Sequence, residues 1–383
     1  MTDELKKGLD GVVVAESALS DIDGDRGALY YRGYPIEELA AEASYEEVLY
    51  LLWNEELPTH DQLAAFEAEM REARAVRPGI YDQLELLADS GERPISALRS
   101  SVSMLSAEDP GTDASPTDRE AARHMGRRIS AKFPTVLAAF DRLRRGEEPV
   151  EPRTDLSLAA NFLYMLTGTE PDPMHAAIFD KALTLHADHG LNASTFTAMV
   201  VGSTLADVYN SVTAAVAALS GPLHGGANQS VMNALLEIDE GPLTATEWIK
   251  ELLENDDRIP GWGHRVYNVL DPRAAILEAE LERLSERTED CHWLEYLRDI
   301  ETHLSDEVGL PEKGVAPNVD FYSGAIYYQL GIPVDMFTAI FAMSRSTGWI
   351  GHVLEYQADN KLIRPRGQYV GPDPRDFVPL DER

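Results

Sequence analysis

From Tyr45 onward the apolar residues of this chain recur at spacings of three and four, and no β/α alternation interrupts them. Helices are predicted over Tyr45 to Glu55, ending before Pro58, and over Asp61 to Arg77, where Leu63, Phe66 and Met70 line one face. The pattern excludes a doubly wound parallel sheet, contains no internal repeat, and predicts an all-α fold. Strand-like runs are confined to Gly11 to Ala15 and Ala28 to Tyr31, around the turn-rich Asp21 to Asp25. The most apolar stretch, Phe196 to Leu223, is broken by Asp207, Tyr209 and Asn210, which fits a buried helix pair better than a membrane span. Breaker-rich stretches at Glu108 to Asp118 and Glu147 to Asp155 fit linkers or loops within one domain equally well.

With 383 residues, 44% of them hydrophobic, the chain can bury one large core or two joined ones. Its 66 acidic residues against 33 basic ones, only seven of them lysine, leave a formal charge of −33. Such a surface repels nucleic acid and anionic membranes. The acidic residues are spread along the whole chain, as expected of a halophilic surface kept hydrated in concentrated salt; an ordinary acidic enzyme is the alternative. The single Cys291 excludes an intrachain disulfide, and the start MTDELKKGLDGVVV lacks the apolar core of a signal peptide, so a cytoplasmic location is expected.

Three segments far apart each place one proton-handling side chain beside turn-forming residues: GPLHGG with His224, GWGH with His264 and PNVD with Asp320. A neutral imidazole both donates and accepts, and Asp is a weak base, so the set can take a proton from carbon and stabilise the oxyanion that results. Arg273 in DPR, Arg345 in SRSTG, and Arg364 and Arg366 in RPR add guanidinium groups that grip carboxylates bidentately. Taken alone, Asp320 before the run Phe321 to Gln329 also reads as a helix N-cap. Arg345 follows the apolar run Phe337 to Met343 on a helix that Pro333 opens, and is buried there only opposite an anion, whether a ligand or a structural carboxylate.

His186 and His189, three apart on a helix predicted to stop at Gly190, would face one side and in isolation suit a metal. No HExxH and no cysteine cluster accompanies them, so no metal is expected. Asp21, Asp23 and Asp25 do not make a calcium loop, because Arg26 and Arg32 stand at its sixth and twelfth positions. Gly261 and Gly263 lack the third glycine of a dinucleotide fingerprint, no phosphate-binding GxxxxGK[ST] occurs, and HGG without a GxSxG elbow is not an esterase.

HADHGLNAST (His186 to Thr195), GPLHGGAN, GWGHRVYNVLDPR, PNVDFYSG and SRSTGWIGH, with SALSDIDGDRGALYYRGYPIEELA near the N-terminus, together make the chain resemble the citrate synthase family from near Val12 to about Pro374. The resemblance implies a large helical, dimer-forming domain from residues 1–226 and 331–383, a small helical domain from 227–330, and a site in the cleft between them. It implies condensation of acetyl-CoA with oxaloacetate to citryl-CoA, then hydrolysis to citrate and coenzyme A, with no metal or redox cofactor. Asp320 would remove the methyl proton, His224 would donate to the enolate oxygen, and His264 would polarise the ketone and protonate the alkoxide. His189, Asn192, Arg273, Arg345 and a neighbouring subunit's Arg366 would hold oxaloacetate, with His186 behind them. Coenzyme A would lie along Arg265, Lys313, Gly314, Val315 and Asn318. Two positions depart from the family: Asn268, where a base toward the coenzyme A phosphates is usual and for which Arg265 or Lys313 would compensate, and Trp262, where phenylalanine or tyrosine is commoner. A 2-methylcitrate synthase using propionyl-CoA and a non-catalytic sensor of coenzyme A or oxaloacetate are the alternatives.

Overall fold

The computed structural model describes residues 5–9, 11–287 and 292–383; Cys291 and the first four residues of the N-terminal segment lie outside them. Sixteen α-helices dominate the described residues. One small antiparallel sheet joins β1 (Ser20–Asp23), β2 (Ala28–Tyr31) and β3 (Tyr34–Pro35) in that order, with Ser20 opposite Tyr31 and Asp23 opposite Ala28. The predicted strand at Gly11 to Ala15 does not form. Val12 and Val13 stay exposed there, with no neighbouring strand among the described residues to pair with them. The partner of Ala28 to Tyr31 comes instead from within the turn-rich run, where Asp23 Oδ1 accepts from the Asp25 and Arg26 amides at 3.2 and 3.0 Å and shapes the hairpin tip.

Tyr45–Asn54 is helical as predicted, opened by a capping box between Ser44 and Glu47. The following helix, His60–Glu72, begins at a second box formed by Thr59 and Gln62, but stops five residues before the predicted end. The carbonyls of Ala73, Arg74 and Ala75 turn outward and accept from Lys132 Nζ and Thr135 Oγ1 of the long helix Arg119–Arg144. Tertiary donors thus replace the helix's own amides.

Phe196 to Leu223 holds the expected pair, Ala193–Gly202 and Val208–Leu219, packed side by side. Among the described residues no helix is long and apolar enough to cross a membrane. The Glu108 to Asp118 stretch is a loop within the packed helices and not a linker. Its buried Asp109 accepts from Arg128 Nε and Nη2 and from Tyr209 OH, all at 2.6 Å. A buried carboxylate so fully paired ties the loop to two helices.

The helix Phe337–Ala358 runs through the main core, its Ile340, Met343, Trp349, Ile350 and Val353 buried against Tyr45–Asn54, Arg119–Arg144, Pro173–His186 and the 193–219 pair. Each such side chain stabilises the fold by about 1.5–3 kcal/mol. Helices Ala227–Glu240, Ala245–Glu254, Pro272–Ser285, His292–Thr302 and Val319–Gln329 pack chiefly on one another, through Met232, Leu235, Ile249, Leu281 and Leu297. After Ala358 the chain is irregular, with one short 3-10 turn at Leu380–Glu382. Asn360 and Ile363 hydrogen-bond to Ser203, and residues 364–383 are exposed.

A net charge of −33 on one folded chain repels itself. The melting temperature is therefore expected to rise as KCl goes from about 0.1 M toward 1 M, where the screening length falls from about 10 to 3 Å. Differential scanning calorimetry across that range checks this; a maximum in dilute buffer would remove the halophilic reading.

Candidate active site

Two loops lie zipped together beside the helix Val319–Gln329. Gly263 N–H donates to Ala316 O, Asn318 N–H to Gly261 O, and Asn318 Nδ2 to Gly263 O, each at 2.9 Å. The pairing carries His264 to the start of that helix. Asn318, and not Asp320, is the N-cap: its Oδ1 accepts from the Asp320 amide at 3.0 Å. Asp320 thus sits inside the first turn with its carboxylate free of capping. Burial raises that carboxyl to about 6, with Arg273 and Arg345 pulling the other way.

His264 Nδ1 accepts from the amides of Val266 and Tyr267 at 3.0 and 3.3 Å, so the ring proton sits on Nε2. Burial, then the charge of Arg273, pushes its pKa down to about 4 and keeps it neutral. His189 lies 5.0 Å away, ring centroid to centroid, its Nε2 3.1 Å from Tyr267 OH. The predicted helix over both His186 and His189 is corrected here: it is Pro173–His186, and His189 follows on a turn completed by Gly190 at φ +58°. The chain unwinds because Tyr31 OH engages the Asp188 backbone, accepting its N–H at 3.1 Å and donating to its carbonyl at 2.9 Å. The two histidines therefore share no helix face. His186 is buried behind, with Nδ1 2.7 Å from Ala182 O and its ring against Phe341. No group of three or more His, Cys, Asp or Glu among the described residues is placed to hold a metal ion.

His224 sits in the turn between Val208–Leu219 and Ala227–Glu240, which Thr338 Oγ1 anchors by donating to Gly225 O at 2.7 Å. Its Nε2 accepts from the Ser194 amide at 3.2 Å and lies 2.7 Å from Ser194 Oγ. The backbone donor at Nε2 puts the ring proton on Nδ1. Burial, then Arg345, lowers this pKa to about 4 as well. Ser194 Oγ in turn accepts from Trp349 Nε1 at 3.0 Å and shares its one proton between His224 Nε2 and Asn192 Oδ1, the latter 2.8 Å away. Asn192 is the N-cap of Ala193–Gly202, so its oxygen builds the site and only its Nδ2 faces other partners.

Arg345 is buried, with Nε donating to His186 O at 2.7 Å and its guanidinium 4.5 Å from the Phe341 ring centroid. No carboxylate lies within 4.0 Å of it among the described residues, and burial lowers its pKa to about 10. Arg273 differs: Asp271 grips it through Nε at 2.9 Å and Nη2 at 2.7 Å, both residues buried, leaving Nη1 unshared. Both guanidiniums lie close enough to His189 and Asp320 to pull the pKa of each downward. Arg366 is not brought to them within one chain; it lies on the exposed C-terminal segment. Arg265 and Lys313 are exposed on the zipped loops, Lys313 Nζ donating to Val308 O at 3.1 Å. Gly314 holds φ +74° beside Asn268, with Val315 half-buried after it. Asn318 spends both ends of its amide on internal bonds and so shapes the loop.

Ser194, Tyr267 and Trp349 carry no assignment from the sequence, although all three lie inside the quoted segments. One signal pointed to them: a histidine held to one tautomer needs a fixed donor or acceptor at its other nitrogen.

A buried carboxyl of raised pKa and two neutral histidines, each within the field of Arg273 or Arg345 on a helical scaffold, are groups suited to proton transfer beside an anionic substrate. Residues 8–366 match the family described as "Citrate synthase, C-terminal domain". Citrate synthase of Haloferax volcanii is 54% identical over 384 residues, covering 100% of both chains. Among solved structures, citrate synthase from Pyrobaculum aerophilum superposes with a TM-score of 0.91 at 40% identity, covering 98% of this chain and 95% of that one. A ternary complex of carboxymethyl coenzyme A and oxaloacetate with citrate synthase from Thermoplasma acidophilum superposes with a TM-score of 0.91 at 32% identity, covering 100% of both. The chain belongs to the citrate synthase family.

Proposed function

We propose that Asp320, His224 and His264 carry the citrate synthase reaction in this chain, condensing acetyl-CoA with oxaloacetate and hydrolysing citryl-CoA to citrate and coenzyme A. Asp320 takes a methyl proton, and the electron pair moves onto the thioester oxygen, which receives a hydrogen bond from His224 Nδ1–H. The enolate carbon attacks the oxaloacetate ketone. His264 Nε2–H polarises that ketone and gives its proton to the new alkoxide; the water that then cleaves the thioester returns a proton to His264, and the proton held by Asp320 leaves on the coenzyme A thiolate. The observation that carries this reading is the pair of tautomers, set by backbone amides at Nε2 of His224 and Nδ1 of His264, each leaving one N–H to face outward from its anchoring bonds.

Oxaloacetate is a dianion, and Arg345, Arg273 Nη1, His189 and the Asn192 amide supply donors for it, with Arg366 of the partner subunit completing the set. Arg265 and Lys313 offer charge to the coenzyme A phosphates, and the backbone of Gly314 and Val315 a surface for its adenine and pantetheine. The residues 227–330 form the small domain, and binding of oxaloacetate draws it onto the rest before acetyl-CoA enters. Proton transfers among these side chains need no metal or redox group. The protein works in the cytoplasm as a homodimer.

Thiol release with oxaloacetate and either acetyl-CoA or propionyl-CoA tests the function. A higher kcat/KM for acetyl-CoA is expected. A preference for propionyl-CoA would make it a 2-methylcitrate synthase, since one methylene is worth only about 1–3 kcal/mol in a pocket; no release with either would leave a binding protein. The shared site is tested by mixing subunits. A chain with Arg366→Ala and another with His264→Ala should each be inactive alone, and their heterodimer should rebuild one intact site. An inactive heterodimer would mean that each site is built within one chain.

A further inference from the structure

The turn that carries His264 is held from two sides. One is the 314–319 loop; the other is the tip of the β1–β2 hairpin. Asn268 N–H donates to Gly24 O at 3.0 Å, and Asn268 Nδ2 donates to Asp25 Oδ1 at 2.8 Å. Gly24 is pressed so closely onto the turn that a Cβ there would stand 2.0 Å from Val266 O. Val266 is one of the two residues whose amides donate to His264 Nδ1. The hairpin tip therefore bears on the same short stretch that orients the imidazole.

The base of the same hairpin is fixed to the His189 turn. Ser20 Oγ donates to Asp188 Oδ2 at 2.5 Å and accepts from the Gly190 amide at 3.2 Å. Tyr31, opposite Ser20 on β2, holds the Asp188 backbone through its hydroxyl. Asp188 is buried, and His352 Nε2 lies 3.2 Å from its Oδ1. A hydrogen-bonded ribbon with four cross-strand pairs thus spans from the residues flanking His189 to those flanking His264.

We propose that the β1–β2 hairpin is a strut that sets the His264 turn against the His189 turn, with Gly24 and Asn268 as positioning residues at its tip. Its catalytic consequence rests on the role given to His264 above. Asn268 stands in the strut and faces the hairpin, not the coenzyme A phosphates. A misplacement of about 1 Å in a reacting group costs roughly a hundredfold in rate, so a small lift of the tip is kinetically visible.

Gly24→Ala tests the strut, because its φ lies outside the left-handed region and the added methyl strains only the contact with Val266. Amide hydrogen exchange over residues 264–270, measured without substrates, should accelerate at least about tenfold while the global melting temperature holds, since only local closure is lost. The kcat/KM for oxaloacetate should fall at least about tenfold, and KM for acetyl-CoA at saturating oxaloacetate should stay within about twofold. Asn268→Ala should give the same pattern at about three- to tenfold, the worth of a lost hydrogen bond, and serves if Gly24→Ala does not fold. Unchanged exchange in the folded variants would overturn the strut whatever the activity. Faster exchange with unchanged oxaloacetate kinetics, or a change confined to acetyl-CoA KM, would equally overturn it. Absence of citrate formation in the parent enzyme would sink the functional reading and leave the exchange result standing.

Discussion

Asp320→Asn is expected to lower kcat at least about a hundredfold while leaving oxaloacetate affinity within about twofold, because it removes the base and keeps the shape. Thiol release and oxaloacetate titration measure the two quantities separately. In the parent enzyme the carboxyl, raised to about 6 by burial, is protonated and useless below that pH. The kcat/KM for acetyl-CoA should then climb with pH through about 6 and level off above it, and the residual activity of Asp320→Asn should lack that limb. Stability moves the opposite way. A carboxyl whose folded pKa lies above its unfolded value contributes stability below the unfolded pKa and loses it as pH rises through about 6. Asparagine, which resembles the protonated form, should therefore melt higher than the parent at pH 7 to 8. Retention of more than about a tenth of parental turnover would remove Asp320 from the role of base, being well short of the expected loss.

Arg345→Met is expected to raise KM for oxaloacetate by at least about a hundredfold, since truncating one partner of a buried charge pair costs roughly 2–5 kcal/mol. The accompanying change in stability discriminates between the two readings of this residue. Burial disfavours the charged guanidinium in the empty enzyme and lowers its pKa, with no carboxylate within 4.0 Å of it among the described residues to offset that cost. Replacing such a charge with an apolar side chain of similar length removes a desolvation penalty and gives up one bond to His186 O and the face of Phe341. The melting temperature without substrate should hold or rise. A structural ion pair would behave in the reverse sense, with a large fall in melting temperature and an unchanged KM, and that result would withdraw Arg345 from the substrate site.

The most legible parts of this protein are those in which one short segment meets its own needs. The helix starts at Ser44 and Thr59 follow from a cap residue and its glutamate or glutamine three positions on. The chemistry around His224, His264 and Asp320 was legible for a related reason: glycine and proline are required wherever a chain turns sharply to present one side chain, and such residues leave a local pattern. Arg345 followed from an apolar run that no isolated charge could end without an anion opposite.

What the sequence by itself determined is therefore the helical class, and it singled out His224, His264, Asp320 and Arg345 as the residues to test. Tertiary structure alone decided the rest. Lys132 and Thr135 end the helix His60–Glu72 by taking carbonyls about sixty positions earlier, and Tyr31 draws Asp188 and hence His189 off a helix that periodicity would have continued. Asn192 and Asn318 proved to be caps, Arg273 was already gripped by Asp271, and the tautomers of His224 and His264 waited on amides that only the fold brings within reach. Local propensity registers the hydrogen bonds a residue makes with near neighbours. It is blind to a donor that arrives from another element, and a buried polar group takes whichever partner the packing delivers.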